Sequence, residues 1–402
     1  MPPKNAEPDF EPKGAARFAR VRKNLRMGIV GLPNVGKSSL FNLLTEQAVA
    51  AENYPFCTIE PNESRCPVPD ERYDWLCNMW KPASEYPAYL YITDIAGLVR
   101  GAAEGAGLGN NFLSHISAVD GIFHVVRAFD NDEVVHVDDS IDPIRDLETI
   151  QMELCKKDLE YVLAAEEKET KEVKRSPGSK LSPTFLTTFE KIKAALKENK
   201  PIRNTDLNSK EVEMVRDKLN TVITTKPCVY LVNLSMNDYI RKKNKWLAKI
   251  VTWVNEHGGG VVIPFSVEFE TKLWDLRENP DGKQAFLDEH KVGSCMPKMV
   301  VQGFKELSLI YFFTAGEKEV RCWTIQKGTY APGAAGAIHS DMERGFIKAE
   351  VVSYTDYRAI STQKGMTEVK AAGKYRQEGK QYLVQDGDIM YFQFNANTPS
   401  KK

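Results

Sequence analysis

The stretch GLPNVGKSS, residues 31–39, limits what this chain can fold into more than any other feature. It follows a short apolar run, Met27-Gly28-Ile29-Val30, and opens into SSLFNLLTEQAV, whose apolar residues recur at helical spacing. Glycines at 31 and 36 let backbone N–H groups converge at the start of a helix, where the helix dipole favours an anion. Lys37 then supplies a cation for terminal phosphates and Ser38 a hydroxyl for Mg2+. A chance Gly-rich turn needs neither the strand before it nor the helix after it. Asn34, Val35, Gly36, Lys37, Ser38 and Ser39 are therefore candidate contacts to a nucleoside triphosphate.

Further along, the apolar run Tyr89-Leu90-Tyr91-Ile92 ends in DIAG, residues 94–97. Asp94 suits a carboxylate turned toward Mg2+, and Gly97 an N–H that meets the γ-phosphate. Leu98 follows, where many GTPases use a glutamine to orient the attacking water, and a leucine cannot do this. Thr58, within NYPFCTIEPN, is the candidate to close over Mg2+ and the γ-phosphate. Gly101, Gly105, Gly107 and Gly109 make a permissive loop suited to ordering when a triphosphate binds. His136, in DEVVHVDDS, is the histidine best placed in sequence to orient water. His257-Gly258-Gly259-Gly260 reads as a turn, since no Gly-x-Ser-x-Gly accompanies it.

Two more apolar runs, residues 121–126 and 228–232, complete an alternation of strands and helices that predicts a mostly parallel α/β sheet with ligands at its carboxyl edge. Between 147 and 220 the composition changes: 15 basic and 14 acidic residues interleave with apolar residues at helical spacing, broken at Ser176-Pro177-Gly178 and Ser182-Pro183. Because a nucleotide-domain strand comes after it, this stretch reads as an insertion. Short strands with turns dominate from about 305. The expected division is a basic arm (1–23), a nucleotide core in two parts (24–146 and 221–304), a helical insertion (147–220), a β-rich domain (305–395) and a tail (396–402).

Composition narrows the partners. A net charge of −1 gives no global attraction to nucleic acid, so an RNA contact must come from a local patch such as the arm, where residues 1–26 hold seven Lys or Arg against three acids. From 305 to the end the count is 14 basic to 11 acidic, leaving Lys374, Arg376 and Lys380 as local candidates. Seven cysteines without a Cys-x-x-Cys pair argue for thiols in a reducing compartment, and no run of 18 apolar residues predicts a membrane span. Both point to the cytoplasm.

Taken together, GLPNVGKSSLFN, NYPFCTIEPN, DIAGLVRGAAEGAGLGNNFL, FTAGEKEVRCWTI, AAGAIHSDMERGFIKAEV and AAGKYRQEGKQYLVQDGDIM closely resemble the Obg-like ATPases, the YchF-type branch of the translation-factor-related P-loop NTPases. The resemblance spans nearly the whole chain. It implies a P-loop NTPase core, an inserted helical coiled-coil arm and a C-terminal TGS-type β-grasp domain. It also implies Mg2+-dependent hydrolysis of ATP in preference to GTP and association with ribosomes or the large ribosomal subunit.

Carried over by position, Lys37 and Ser38 are the phosphate and Mg2+ contacts, and Thr58 and Asp94 the γ-phosphate and metal side. Asn233 and Leu234 are base contacts, Ser266 is a further candidate contact, and Asn34 a candidate to hold K+. One departure stands out. The family commonly reads Asn-x-x-Glu in the base loop, whereas NLSMNDY, residues 233–239, puts Met236 at the last position. A thioether cannot accept guanine's two adjacent N–H donors, so ATP is expected over GTP. A nucleotide-binding scaffold with negligible turnover and a conventional GTPase are the competing readings.

Overall fold

A computed structural model of the protein describes residues 15, 18, 25–51, 62–95, 115–130, 140–175 and 180–395, apart from the side chains of 49–51. Seven strands come from the first two thirds of the chain: β1 (Arg26–Val30), β2 (Glu63–Pro67), β3 (Ser84–Tyr86), β4 (Tyr89–Asp94), β5 (Gly121–Arg127), β6 (Cys228–Asn233) and β7 (Val261–Phe265). Six of them form one sheet in the order β2-β4-β1-β5-β6-β7, parallel throughout except for β2. Every residue of β5 is buried, as expected for a central parallel strand covered on both faces. Registers Arg127↔Asn233 and Asn233↔Phe265 bring the ends of three strands level, so their following loops gather at one edge.

Helix α1 (Lys37–Ala51) follows β1 through the Gly-rich loop. Helix α2 (Glu71–Trp80) starts at Asp70, whose side chain accepts from Arg72 N, and buries Tyr73, Leu76, Cys77 and Trp80. The helical stretch begins earlier than the expected 147: α3 runs Pro143–Arg175. Its first turns belong to the core, since Leu147 packs with Val126, Tyr230 and Trp253 while Ile150 joins the main cluster. Beyond Cys155 and Val162, α3 packs on α4 (Pro183–Lys197) and α5 (Ser209–Lys218) through Phe185, Phe189, Ile192, Val212 and Val215. Ser182 caps α4 by accepting from Phe185 N at 3.1 Å, and Asn208 with Glu211 closes a capping box on α5. At the root of this unit, buried Asp158 accepts from Ile223 N (2.7 Å) and Thr224 N (2.6 Å). Phe18, from the basic arm, is buried in the same helical cluster.

The second sheet, in the order β11-β10-β12-β8-β9-β3, holds β8 (Leu309–Ala315), β9 (Glu319–Gln326), β10 (Phe346–Ser353), β11 (Arg376–Glu378) and β12 (Asp388–Phe394). Its last member is unexpected, because β3 lies within the stretch assigned to the nucleotide core. It pairs parallel with β9, Ser84 opposite Glu319 and Tyr86 opposite Arg321. Helix α2 directs it there by packing into the apolar cluster that also holds Tyr311, Phe313 and Val320. At this junction Arg72 pairs with Asp70 (2.7 Å) and Asp386 (3.0 Å), and the Tyr311 hydroxyl donates to Asp70. Burial pushes the Asp70 carboxyl up, but the Arg72 and Tyr311 hydrogen bonds outweigh it and hold the group below its ordinary value. Among the described residues, no helix is long and apolar enough to cross a membrane.

Candidate functional site

The Gly-rich loop lies at the carboxyl edge of the first sheet, between β1 and α1. A Cβ on Gly31 would sit 2.5 Å from the Val125 carbonyl oxygen, so the loop can pass β5 only with glycine there. Gly36 has φ +101°, and a Cβ there would meet the Asn233 side-chain nitrogen at 2.6 Å. Asn34 is exposed at φ 61°, while Val35 is buried and offers only its main chain. Ser39 is exposed.

Lys37, the first residue of α1, is 7% exposed and donates from Nζ to the Leu32 carbonyl at 2.7 Å. Burial lowers its pKa to about 8, against the opposing pull of Asp94. Ser38 Oγ donates to Asp94 Oδ2 at 3.1 Å. The other oxygen, Oδ1, is buried with no hydrogen-bond partner among the described residues. Burial pushes the Asp94 carboxyl up, with Ser38 and Lys37 pulling the other way. An orphaned carboxylate oxygen beside a serine hydroxyl is a pair of hard donors that fits Mg2+. Among the described residues no group of three or more His, Cys, Asp or Glu could hold a metal. A cation here would therefore rely on these two side chains plus ligand oxygens and water, as Mg2+ commonly does beside phosphates.

On the base side three of the expected contacts are engaged within the protein itself. Asn233 is buried and clamps two loops together: Nδ2 donates to Val35 O at 3.0 Å, and Oδ1 accepts from Val267 N at 3.1 Å. Leu234, the other expected base contact, has its side chain 2% exposed, in the core with Val126, Val232 and Ile250. Only its main chain is left for a base, and Leu234 N is already bonded to Phe265 O at 2.7 Å. Ser266 is likewise committed, fully buried and accepting from Phe269 N as the cap of α8 (Val267–Asp275). Met236 is half-buried at the start of α6 (Met236–Arg241). Sequence reasoning missed Val267, because nothing local marks a backbone N–H as the partner of an asparagine 34 residues earlier.

Thr58, Gly97, Leu98, His136 and the glycines at 101–109 lie outside the described residues. The 257–260 turn is as read: three left-handed glycines connect α7 (Leu247–Glu256) to β7, with the His257 ring stacked 4.1 Å from Trp253. Two basic candidates of the second sheet region have acidic neighbours, Lys374 with Asp356 (3.3 Å) and Arg376 with Glu378 (3.4 Å).

Comparison with known proteins agrees with this geometry. Residues 26–165 match the family model described as "50S ribosome-binding GTPase", and residues 309–395 match the YchF-GTPase C-terminal model, described as a protein of unknown function. The chain is 53% identical to Obg-like ATPase 1 of Oryza sativa subsp. japonica over 404 residues, covering 100% of both chains. Against the Caenorhabditis elegans and Homo sapiens proteins of that name the identities are 52% (98% of each chain) and 51% (100% of each). Among solved structures, the Schizosaccharomyces pombe YchF GTPase superposes with a TM-score of 0.82 at 42% identity, over 94% of this chain and 99% of that one. End-to-end identity above one half, with the P-loop geometry in place, means that this chain belongs to the Obg-like ATPase (YchF) family.

Proposed function

We propose that the protein is a Mg2+-dependent, ATP-hydrolysing switch that takes ATP in preference to GTP and reports its nucleotide state to ribosomes or large ribosomal subunits in the cytoplasm. The observation that carries this reading is the desolvated Lys37 cation next to the Ser38–Asp94 pair with its orphaned carboxylate oxygen. The name of the relatives supports ATP, and the description of the matched family supports a ribosomal partner.

In this reading Lys37 leaves the Leu32 carbonyl for the terminal phosphates and stabilises charge developing on the transferred group in a site of low dielectric. Ser38 and Asp94, joined by Thr58, would hold Mg2+, which would supply positive charge to offset that of the phosphates. The Gly97 N–H meets the γ-phosphate and His136 orients the water that Leu98 cannot. Asn34 holds K+ beside the phosphates; faster turnover in K+ than in Na+ is the expected sign. Asn233 keeps the base loop in register, and Met236 leaves guanine's adjacent donors without a partner. Residues 24–146 and 221–304 act as the nucleotide core apart from β3, which joins the second sheet; 147–220, whose first turns stay packed on that core, act as a coiled-coil arm and 305–395 as a TGS-type β-grasp domain. The basic arm and the β-grasp domain provide RNA contacts.

Single-turnover hydrolysis of ATP and GTP, with and without ribosomes, tests the reading. ATP cleavage that accelerates with ribosomes and disappears in a folded Lys37→Ala variant is expected. Tighter binding of GTP would make it a conventional GTPase, and no detectable chemistry under either condition would make it a nucleotide-binding scaffold.

A further inference from the structure

We propose that Glu268, steadied by Lys272, reads the exocyclic amino group of adenine and so supplies the base-facing carboxylate that position 236 lacks. This rests on the ATP reading above and names the residue that would enforce it. Glu268 lies in the first turn of α8, directly after the Val267 N–H held by Asn233. That clamp carries the start of α8 alongside the start of α6. Glu268 Oε2 is 3.4 Å from Met236 N, Lys272 Nζ is 3.1 Å from Glu268 Oε1, and the same Nζ is 3.3 Å from Met236 Sδ.

An exposed Glu–Lys pair one helical turn apart is common on any surface and worth little for stability. This one differs in touching the base loop, 32 residues earlier in sequence, through both members. Their side chains are 57% and 52% exposed, so both remain open to a ligand at the sheet edge.

The pairing also sets the preference. Guanine's N1–H and N2–H are adjacent donors that a carboxylate satisfies with both oxygens at once. In Glu268 one oxygen is taken by Lys272, and the other, Oε2, accepts from Met236 N at a long 3.4 Å and keeps a second lone pair for a base held in that loop. A single oxygen matches the single amino group of adenine, and the Lys272 ammonium offsets repulsion between the carboxylate and the ring nitrogens. Glu268 is thus a specificity residue rather than a catalytic one.

Affinities of the full chain for ATP, GTP and purine riboside 5′-triphosphate, which lacks the amino group, test the assignment. Glu268→Ala is expected to weaken ATP about 10-fold, the lower range for a hydrogen bond to a charged group, and to leave purine riboside triphosphate unchanged. Lys272→Met, which releases the second oxygen, is expected to tighten GTP. Equal effects of Glu268→Ala on ATP and purine riboside triphosphate, or none on either, would overturn the proposal. Wild-type protein that prefers GTP would sink the ATP reading itself, and that shows before any variant is made.

Discussion

At the scale of single residues, Lys37 is a cation stripped of most of its water and given one main-chain carbonyl in exchange. Its pKa of about 8 lies below the ordinary 10.5, so between these values the unfolded chain holds more protons than the folded one. This group therefore makes the nucleotide-free protein more stable as pH rises through that window, while a bound triphosphate, which needs the cation, draws a proton back. Calorimetry at pH 8.5 in two buffers of different ionisation enthalpy should show proton uptake on ATP binding, and Lys37→Ala should remove it. Asn233→Ala is a second case. It strips partners from the buried Val35 carbonyl and the Val267 N–H, so a loss of about 2–3 kcal/mol in urea unfolding is expected, together with weaker nucleotide binding. Lys37, Ser38 and Asp94 were legible in the sequence because their chemistry depends on neighbours one or two residues away, or on a strand end. The clamp was not, because Asn233 meets a carbonyl 198 residues distant. Nor was the inward turn of Leu234, since the strand it follows is buried almost throughout and carries no alternation to extrapolate.

Among the elements, the helical unit was readable from its charged, 3.6-residue periodicity and its internal Ser-Pro break, but its root was not. Asp158 is polar, sits on a helix, and looks like any solvated acid until the fold brings Ile223 and Thr224 to it. Asp158→Ala leaves two buried N–H groups without acceptors and should cost about 2–5 kcal/mol, with Asp158→Asn costing less because one acceptor remains. Burial raises this carboxyl to about 6 against hydrogen bonds that pull it down, so the folded chain takes the proton first. Its contribution to stability accordingly falls as pH rises from about 4 to about 6, and the slope of thermal stability over that range should flatten in Asp158→Asn. The basic arm also looks different once Phe18 is seen in the helical core. Deleting residues 1–20 would remove a packing residue, so Arg17→Ala with Arg20→Ala is the cleaner change. Weaker ribosome or RNA association with a shallower salt dependence, and unaltered basal ATP turnover, is the expected result.

For the molecule as a whole, the two sheets share one apolar cluster instead of meeting through a linker. Arg72 is the charged fastening of that contact, and Arg72→Ala would leave the half-buried Asp70 without its cation, a loss of about 1–3 kcal/mol. Denaturation followed by a probe in each sheet should still give coincident transitions in the wild type and separate ones in the variant. The β-rich character of the last third was visible as short strands between turns, whereas the loan of β3 was not, since three residues carry no periodicity. That loan has a consequence for how the chain is made. Ser84 leaves the synthesis machinery 235 residues before Glu319, its partner. The nucleotide-binding sheet is complete once β7 has emerged, yet part of the apolar surface that α2 packs against, Tyr311, Phe313 and Val320, arrives only with β8 and β9. A half-made chain thus holds an open apolar seat for its own end until the last quarter of translation closes it.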